Sequence, residues 1–223
     1  MKFTATEETE NQKQELEMDL ELLSALAPPP EEELRAMTII GEITEDLSKD
    51  VLASLWHLRH TAKVQKLKEP EDPESPVSKE DVEEVVQPFE IIISTPGGSA
   101  DDMFAIYDAI RAIREEVDIE TYGLGKVMSA GTLLLASGTK GKRKIGKYCR
   151  VMVHSVIGGH VGPLHQMDNE IKEVHAIQNA YIEAIASETN LTEKQLKKML
   201  KRKENIYMNA EQAVENGFAD IIV

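Results

Sequence analysis

Apolar positions come in two alternating rhythms between residues 37 and 154. Short blocks, MTIIGEI from Met37, FEIIIS at 89–94, VDIETYG at 117–123 and CRVMVH at 149–154, concentrate β-branched residues over strand-like lengths. Stretches with helical spacing lie between them. One runs from about Asp46 to His60. A second is ADDMFAIYDAIRAIREE, where Met103, Ile106, Ile110 and Ile113 fall three to four residues apart, and a third is SAGTLLLASG. Strands alternating with helices of this length predict an α/β fold of βαβ units around a parallel sheet. From Leu164 the rhythm changes. Leu164, Met167, Ile171, Val174, Ile177, Tyr181 and Ile185 mark one stripe of a single helix near 25 residues long. A helix of that length, polar on its other faces, reaches beyond one domain's core and points to assembly. A helix laid along the sheet is the plainer alternative.

Charge divides the chain further. The net charge is −15, yet residues 126–150 carry seven bases and no acid. Residues 1–50 hold 14 acids against four bases, and 1–36 reads as a mobile acidic arm with one helix near 13–26. KEPEDPESPVSKEDVEEVVQ, with three prolines, reads as a polar insert at about 63–88, leaving 37–223 as the folded domain. The overall acidity argues against nucleic-acid binding. No run of 18 apolar residues is present, which argues against a membrane span, and an N-terminus without an apolar core argues against secretion. The single cysteine, Cys149, fits a reducing cytoplasm and allows neither an internal disulfide nor a cysteine metal cluster.

Three stretches carry candidate chemistry. Thr95-Pro96-Gly97-Gly98-Ser99 follows the strand FEIIIS, where paired glycines let backbone N–H groups approach a ligand. Ser129 stands between a glycine-rich entry, GLGKVM, and an apolar run; alone it reads as an N-cap. His154 ends the strand CRVMVH. All three occupy the carboxyl ends of strands, where open α/β sheets gather their sites. A backbone-donor loop, a hydroxyl and an imidazole meeting there would be the parts of an acyl-transfer centre, although spacing does not establish that they meet.

The co-linear stretches IIISTPGGSADDMFAIYDAIRAI, GLGKVMSAGTLLLASGTKGKRKIGKYCRVMVHSVIGG and AEQAVENGFADIIV resemble the proteolytic subunit of the Clp ATP-dependent protease, a serine peptidase family. The resemblance covers 37–223 and implies the fold shared by Clp proteases and crotonases. It implies Ser129 as nucleophile, His154 as general base, and the Gly98 and Ala130 N–H groups as the oxyanion hole. It further implies a handle helix from Leu164 that interlocks two stacked heptameric rings, an AAA+ unfoldase as partner, unfolded polypeptide as substrate, and no metal or cofactor. Lys142 and Arg143 match the family's KGKR stretch, read as structural or interfacial. The family's third triad member is an aspartate; counting back from the alanine-rich segment at Ala210 puts Asn205 there, with Glu204 beside it as the other candidate. Ala130 stands where the family has methionine, and Ser155-Val156 where it has Gln-Pro. The arm at 1–36 has no clear counterpart of the family's axial loop, which makes the unfoldase the weakest inherited expectation.

Other readings compete. A phage-type head-maturation protease would share the motifs and work without an ATPase. A weak or inactive ring subunit would explain Asn205. A Ser-Lys peptidase would need Lys126, three residues before Ser129, as base. A crotonase-type acyl-CoA enzyme would not need Ser129 and His154 twenty-five residues apart.

Overall fold

The computed structural model describes residues 34–68, 82–159, 161–201 and 204–223. The expected helix at 13–26 and the prolines of the insert lie outside these residues. Contacts divide the chain into two compact units.

The larger unit holds residues 35–59 and 88–223. Its elements are β1 (Ala36–Ile40), α1 (Glu45–His60, whose last residue falls to the other unit), β4 (Phe89–Thr95), α2 (Ala100–Ile113), β5 (Ile119–Met128), α3 (Ala130–Ala136), β6 (Lys144–Ile145), β7 (Arg150–Val153), α4 (Leu164–Glu188), α5 (Glu193–Leu200), β8 (Ile206–Met208), α6 (Ala210–Glu215) and β9 (Ile221–Ile222). The expected strands and helices form in the expected order. β4 buries alternate residues, Phe89, Ile91, Ile93 and Thr95, while α3 is buried at all seven positions. Such all-round burial accounts for an apolar run without amphipathic spacing. On α1, Val51, Leu55 and Leu58 face inward at helical intervals.

The strands form a sheet ordered β1-β4-β5-β6-β9, every pair in that path being parallel. This is the anticipated α/β architecture. β5 runs longer than its sequence suggests. Ile93 pairs with Gly123 but Thr95 with Val127, so extra residues bulge from β5 around Gly125, which sits at φ 62°. The glycine-rich entry to Ser129, GLGKVM, therefore lies inside the strand. The bulge lets β5 fork: Tyr122 and Gly123 pair with β6, whereas Lys126, Val127 and Met128 pair with β7. β7 also takes β8 as an antiparallel neighbour. This fork carries the ends of β5 and β7 side by side.

The smaller unit corrects one expectation. The ends of the insert are not loop: β2 (Lys63–Leu67) and β3 (Val82–Val86) pair antiparallel, Val64 opposite Val85. The β-branched Val64, Val82, Val85 and Val86 are the strand signal, which the prolines and acids between them obscure.

The long helix divides along its length. Leu164, Met167 and Ile171 are exposed, whereas Tyr181, Ile182 and Ile185 are buried. Among the described residues no helix is long and apolar enough to cross a membrane.

Candidate active site

Parallel pairing of Met128 with Met152 sets Ser129 beside the end of β7, and the Ser129 N–H donates to the Met152 carbonyl at 2.8 Å. His154 follows one residue after β7 ends. Its Nε2 lies 2.8 Å from Ser129 Oγ. The two residues expected to form a nucleophile–base pair are thus within hydrogen-bond reach.

Ser129 occupies the residue before α3 without capping it, since its side chain makes no bond to the helix. The hydroxyl is turned to His154 instead. Its backbone is unusual: at φ 53° and ψ −123° it is the only non-glycine residue with positive φ among those described. A residue held there costs about 1–3 kcal/mol and persists only where its surroundings fix it. Here they do. Its carbonyl accepts from Thr132 N–H at 2.9 Å, Thr132 Oγ1 at 2.7 Å and the Tyr181 hydroxyl at 3.1 Å. Gly97 packs against the same turn; a Cβ there would stand 2.5 Å from Ser129 Cβ and 3.1 Å from its Oγ. A Cβ on Gly131 would strike Thr95 Cγ2. Both glycines are therefore required by close approach.

Gly98 is held by a bridge to Ile43: the Ile43 N–H donates to Gly97 O and the Ser99 N–H to Ile43 O, both at 2.9 Å. Neither the Gly98 nor the Ala130 N–H has an acceptor among the described residues. Both residues line, with Ser129 and His154, a cavity of about 360 Å³. Its walls are otherwise mostly apolar, including Met103, Val156, Ile157 and Ile177, with Glu42 the only carboxylate among the described residues. Unpaired amides beside a hydroxyl–imidazole pair can stabilise charge developing on a carbonyl oxygen.

The third position is less complete. Asn205 and Glu204 are exposed, and among the described residues the imidazole of His154 has no bond other than that to Ser129. Val153 pairs with Ile206, so continuing that register by one residue sets Asn205 opposite His154. Lys126, the alternative base, is exposed and pairs through its backbone with Arg150. Lys142 forms an exposed ion pair with Asp118 at 2.6 Å, whereas Arg143 is buried against Asp220, also at 2.6 Å. Among the described residues no three His, Cys, Asp or Glu side chains gather as a metal site requires. Cys149 is buried, and burial pushes its thiol up to about 11, far from a reactive thiolate.

Comparison with known proteins places the chain in a family. The Clp protease family profile matches residues 80–223. The chain belongs to the Clp protease family. It is 33% identical over 190 residues to ATP-dependent Clp protease proteolytic subunit 2 of Chlamydia pneumoniae, a match covering 85% of this chain and 80% of that one. The Chlamydia muridarum counterpart is 31% identical over the same shares. ATP-dependent Clp protease proteolytic subunit 4, chloroplastic, of Arabidopsis thaliana is 32% identical over 143 residues, covering 64% of this chain and 48% of that longer protein. Family membership gives the chain a protease role in outline.

Proposed function

We propose that the chain is a serine endopeptidase that works through an acyl-enzyme. The observation that carries this reading is the 2.8 Å contact between His154 Nε2 and Ser129 Oγ beside two unpaired amides. Ser129 Oγ attacks the scissile carbonyl carbon while His154 Nε2 takes its proton. The carbonyl oxygen becomes an oxyanion between the Gly98 and Ala130 N–H groups. His154 then hands the proton to the leaving amine as the C–N bond breaks, and water repeats the cycle to free Ser129. A mostly apolar cavity suits an apolar side chain next to the cut.

Assembly belongs to the same reading. The exposed Leu164, Met167 and Ile171 of α4 suit burial against another copy, in stacked heptameric rings that enclose unfolded polypeptide. The names of the relatives describe subunits of an ATP-dependent protease, and an AAA+ unfoldase is the corresponding partner here. A reducing cytoplasm-like compartment suits the lone buried thiol.

A fluorophosphonate probe tests the chemistry: it should label Ser129 in the wild type and leave Ser129→Ala unlabelled. Native mass measurement tests assembly, and a stable monomer would sink the ring. A second reading, an inactive ring subunit, is favoured by the exposed Asn205 and an imidazole bonded, among the described residues, only to Ser129. Folded wild type that neither labels nor cleaves peptides would decide for it.

A further inference from the structure

Tyr181 reaches the nucleophile turn from a distant element. It lies on α4, 52 residues after Ser129, at the point where that helix becomes buried, and it is 5% exposed. Its hydroxyl is 3.1 Å from the Ser129 carbonyl oxygen and 2.8 Å from Thr132 Oγ1, which itself lies 2.7 Å from the same oxygen. The Tyr181 and Thr132 hydroxyls bring two protons to three contacts: one serves their bond to each other and the other goes to the Ser129 carbonyl, beside the Thr132 N–H, so the carbonyl is held by the pair whichever hydroxyl donates.

The anchored carbonyl belongs to the Ser129–Ala130 peptide. That unit is planar and trans, so its C=O and N–H point to opposite sides. Whatever fixes the carbonyl oxygen fixes the direction of the Ala130 N–H. Donation to the carbonyl also polarises the unit and strengthens that N–H as a donor. Burial raises the Tyr181 phenol to about 12, which keeps it protonated and donating across the working range.

We infer that Tyr181, with Thr132, is a positioning residue for the oxyanion hole: its hydroxyl aims the Ala130 N–H at the developing oxyanion by anchoring the far end of the same peptide. This rests on the serine-peptidase reading. Tyr181 also lines the cavity, so the effect of its hydroxyl must be separated from that of its bulk.

Tyr181→Phe makes that separation in the full chain. A fluorogenic peptide gives kcat and KM, a peptide boronate of the same sequence gives Ki for a tetrahedral adduct, and a thermal scan gives Tm. Deleting an oxyanion donor outright costs roughly 10²–10³ in kcat; misaiming one that remains should cost about 10-fold. Expected are a kcat about 10-fold lower, KM changed less than about twofold, and boronate Ki weakened by the factor lost in kcat. Thr132→Val should show the same parallel loss and carries the test if Tyr181→Phe folds poorly. Wild-type kcat and boronate affinity in a folded variant overturn the inference, as does a rise in KM alone. A wild-type chain inert to peptide, boronate and fluorophosphonate overturns the peptidase reading and this inference together. An active wild type matched by Tyr181→Phe removes only the positioning role.

Discussion

The two ends of α3 are finished in opposite ways. At its start, the Ala130 N–H has no acceptor among the described residues, and Ser129 spends its hydroxyl on His154 rather than on capping. At its far end the last carbonyls are taken by arginines. The Ala136 carbonyl accepts from Arg143 at 3.1 Å and the Ser137 carbonyl from Arg114 at 2.8 Å. Those arginines are held in turn. Asp220 takes Arg143 through Nε and Nη2, and Glu188 takes Arg114 through both carboxylate oxygens at 2.8 and 2.9 Å. Glu188 also accepts from the Tyr107 hydroxyl, and its backbone carbonyl from Lys140 and Arg143. Charges survive in a core only when so fully paired. One end stores donors where a reaction would need them; the other spends its arginines on holding the helix still.

The largest effect should come from the open end. Ser129→Ala removes the nucleophile and should lower kcat by about 10⁵-fold or more, since parts of such a centre act as one unit. Because its Oγ caps nothing, Tm should stay near wild type; a large fall in Tm would mean the hydroxyl holds the turn. The closed end should respond in reverse. Glu188→Ala removes the buried carboxylate that holds the part-buried Arg114 and should cost about 3 kcal/mol of stability, read by denaturant unfolding at fixed protein concentration. A loss under about 0.5 kcal/mol would show that the network is ornamental.

Acid should find the closed end next. Burial alone would raise Glu188 and Asp220. Hydrogen bonds from Arg114 and Tyr107 outweigh it for Glu188, and those from Arg143 for Asp220, so both carboxylates sit below their ordinary range. A carboxylate with a lower pKa folded than unfolded contributes stability above its unfolded value and loses it as pH falls through the folded one. The contribution of this pair should be flat from about pH 5 upward and decline below about pH 4. Glu188→Gln should flatten that decline. An unchanged acid slope in the variant would place the sensitivity elsewhere.

The open end was largely legible in the sequence and the closed end was not. Ser129, His154 and Gly98 each stand near a strand's carboxyl end, a position that periodicity alone identifies. The contacts that close the other end join distant residues: Arg143 to Asp220 across 77 positions and Arg114 to Glu188 across 74. Nothing local marks such pairs, although the resemblance at KGKR marked Lys142 and Arg143 as structural or interfacial. Tyr181 was visible only as an apolar step in a helical stripe, because its ring obeys the stripe while its hydroxyl acts 52 residues away. The expected strand ended at Gly123, and nothing in GLGKVM marked the bulge around Gly125 that carries β5 on to Met128. The capping boxes Thr192–Gln195 and Asn209–Gln212 were readable in principle from their spacing.

The smallest effect concerns the one group at the open end that lacks its expected partner. Residues directly opposed across an antiparallel pair have Cβ atoms about 4.5–5.5 Å apart on the same face. Extending the Val153–Ile206 register puts residue 205 in that relation to His154. Asparagine there brings no charge to stabilise the imidazolium, whereas aspartate would accept from Nδ1–H and fix the productive tautomer. In the reference serine protease the aspartate-to-asparagine change costs about 10⁴ in kcat, but its aspartate is buried. Asn205 is exposed, where solvent screens such a charge, so Asn205→Asp should raise kcat by about 10-fold only. A fall in kcat would mean that residue 205 does not face His154. No change, with Glu204→Gln lowering kcat, would move the third position to Glu204 and leave the open end completed from the neighbouring residue.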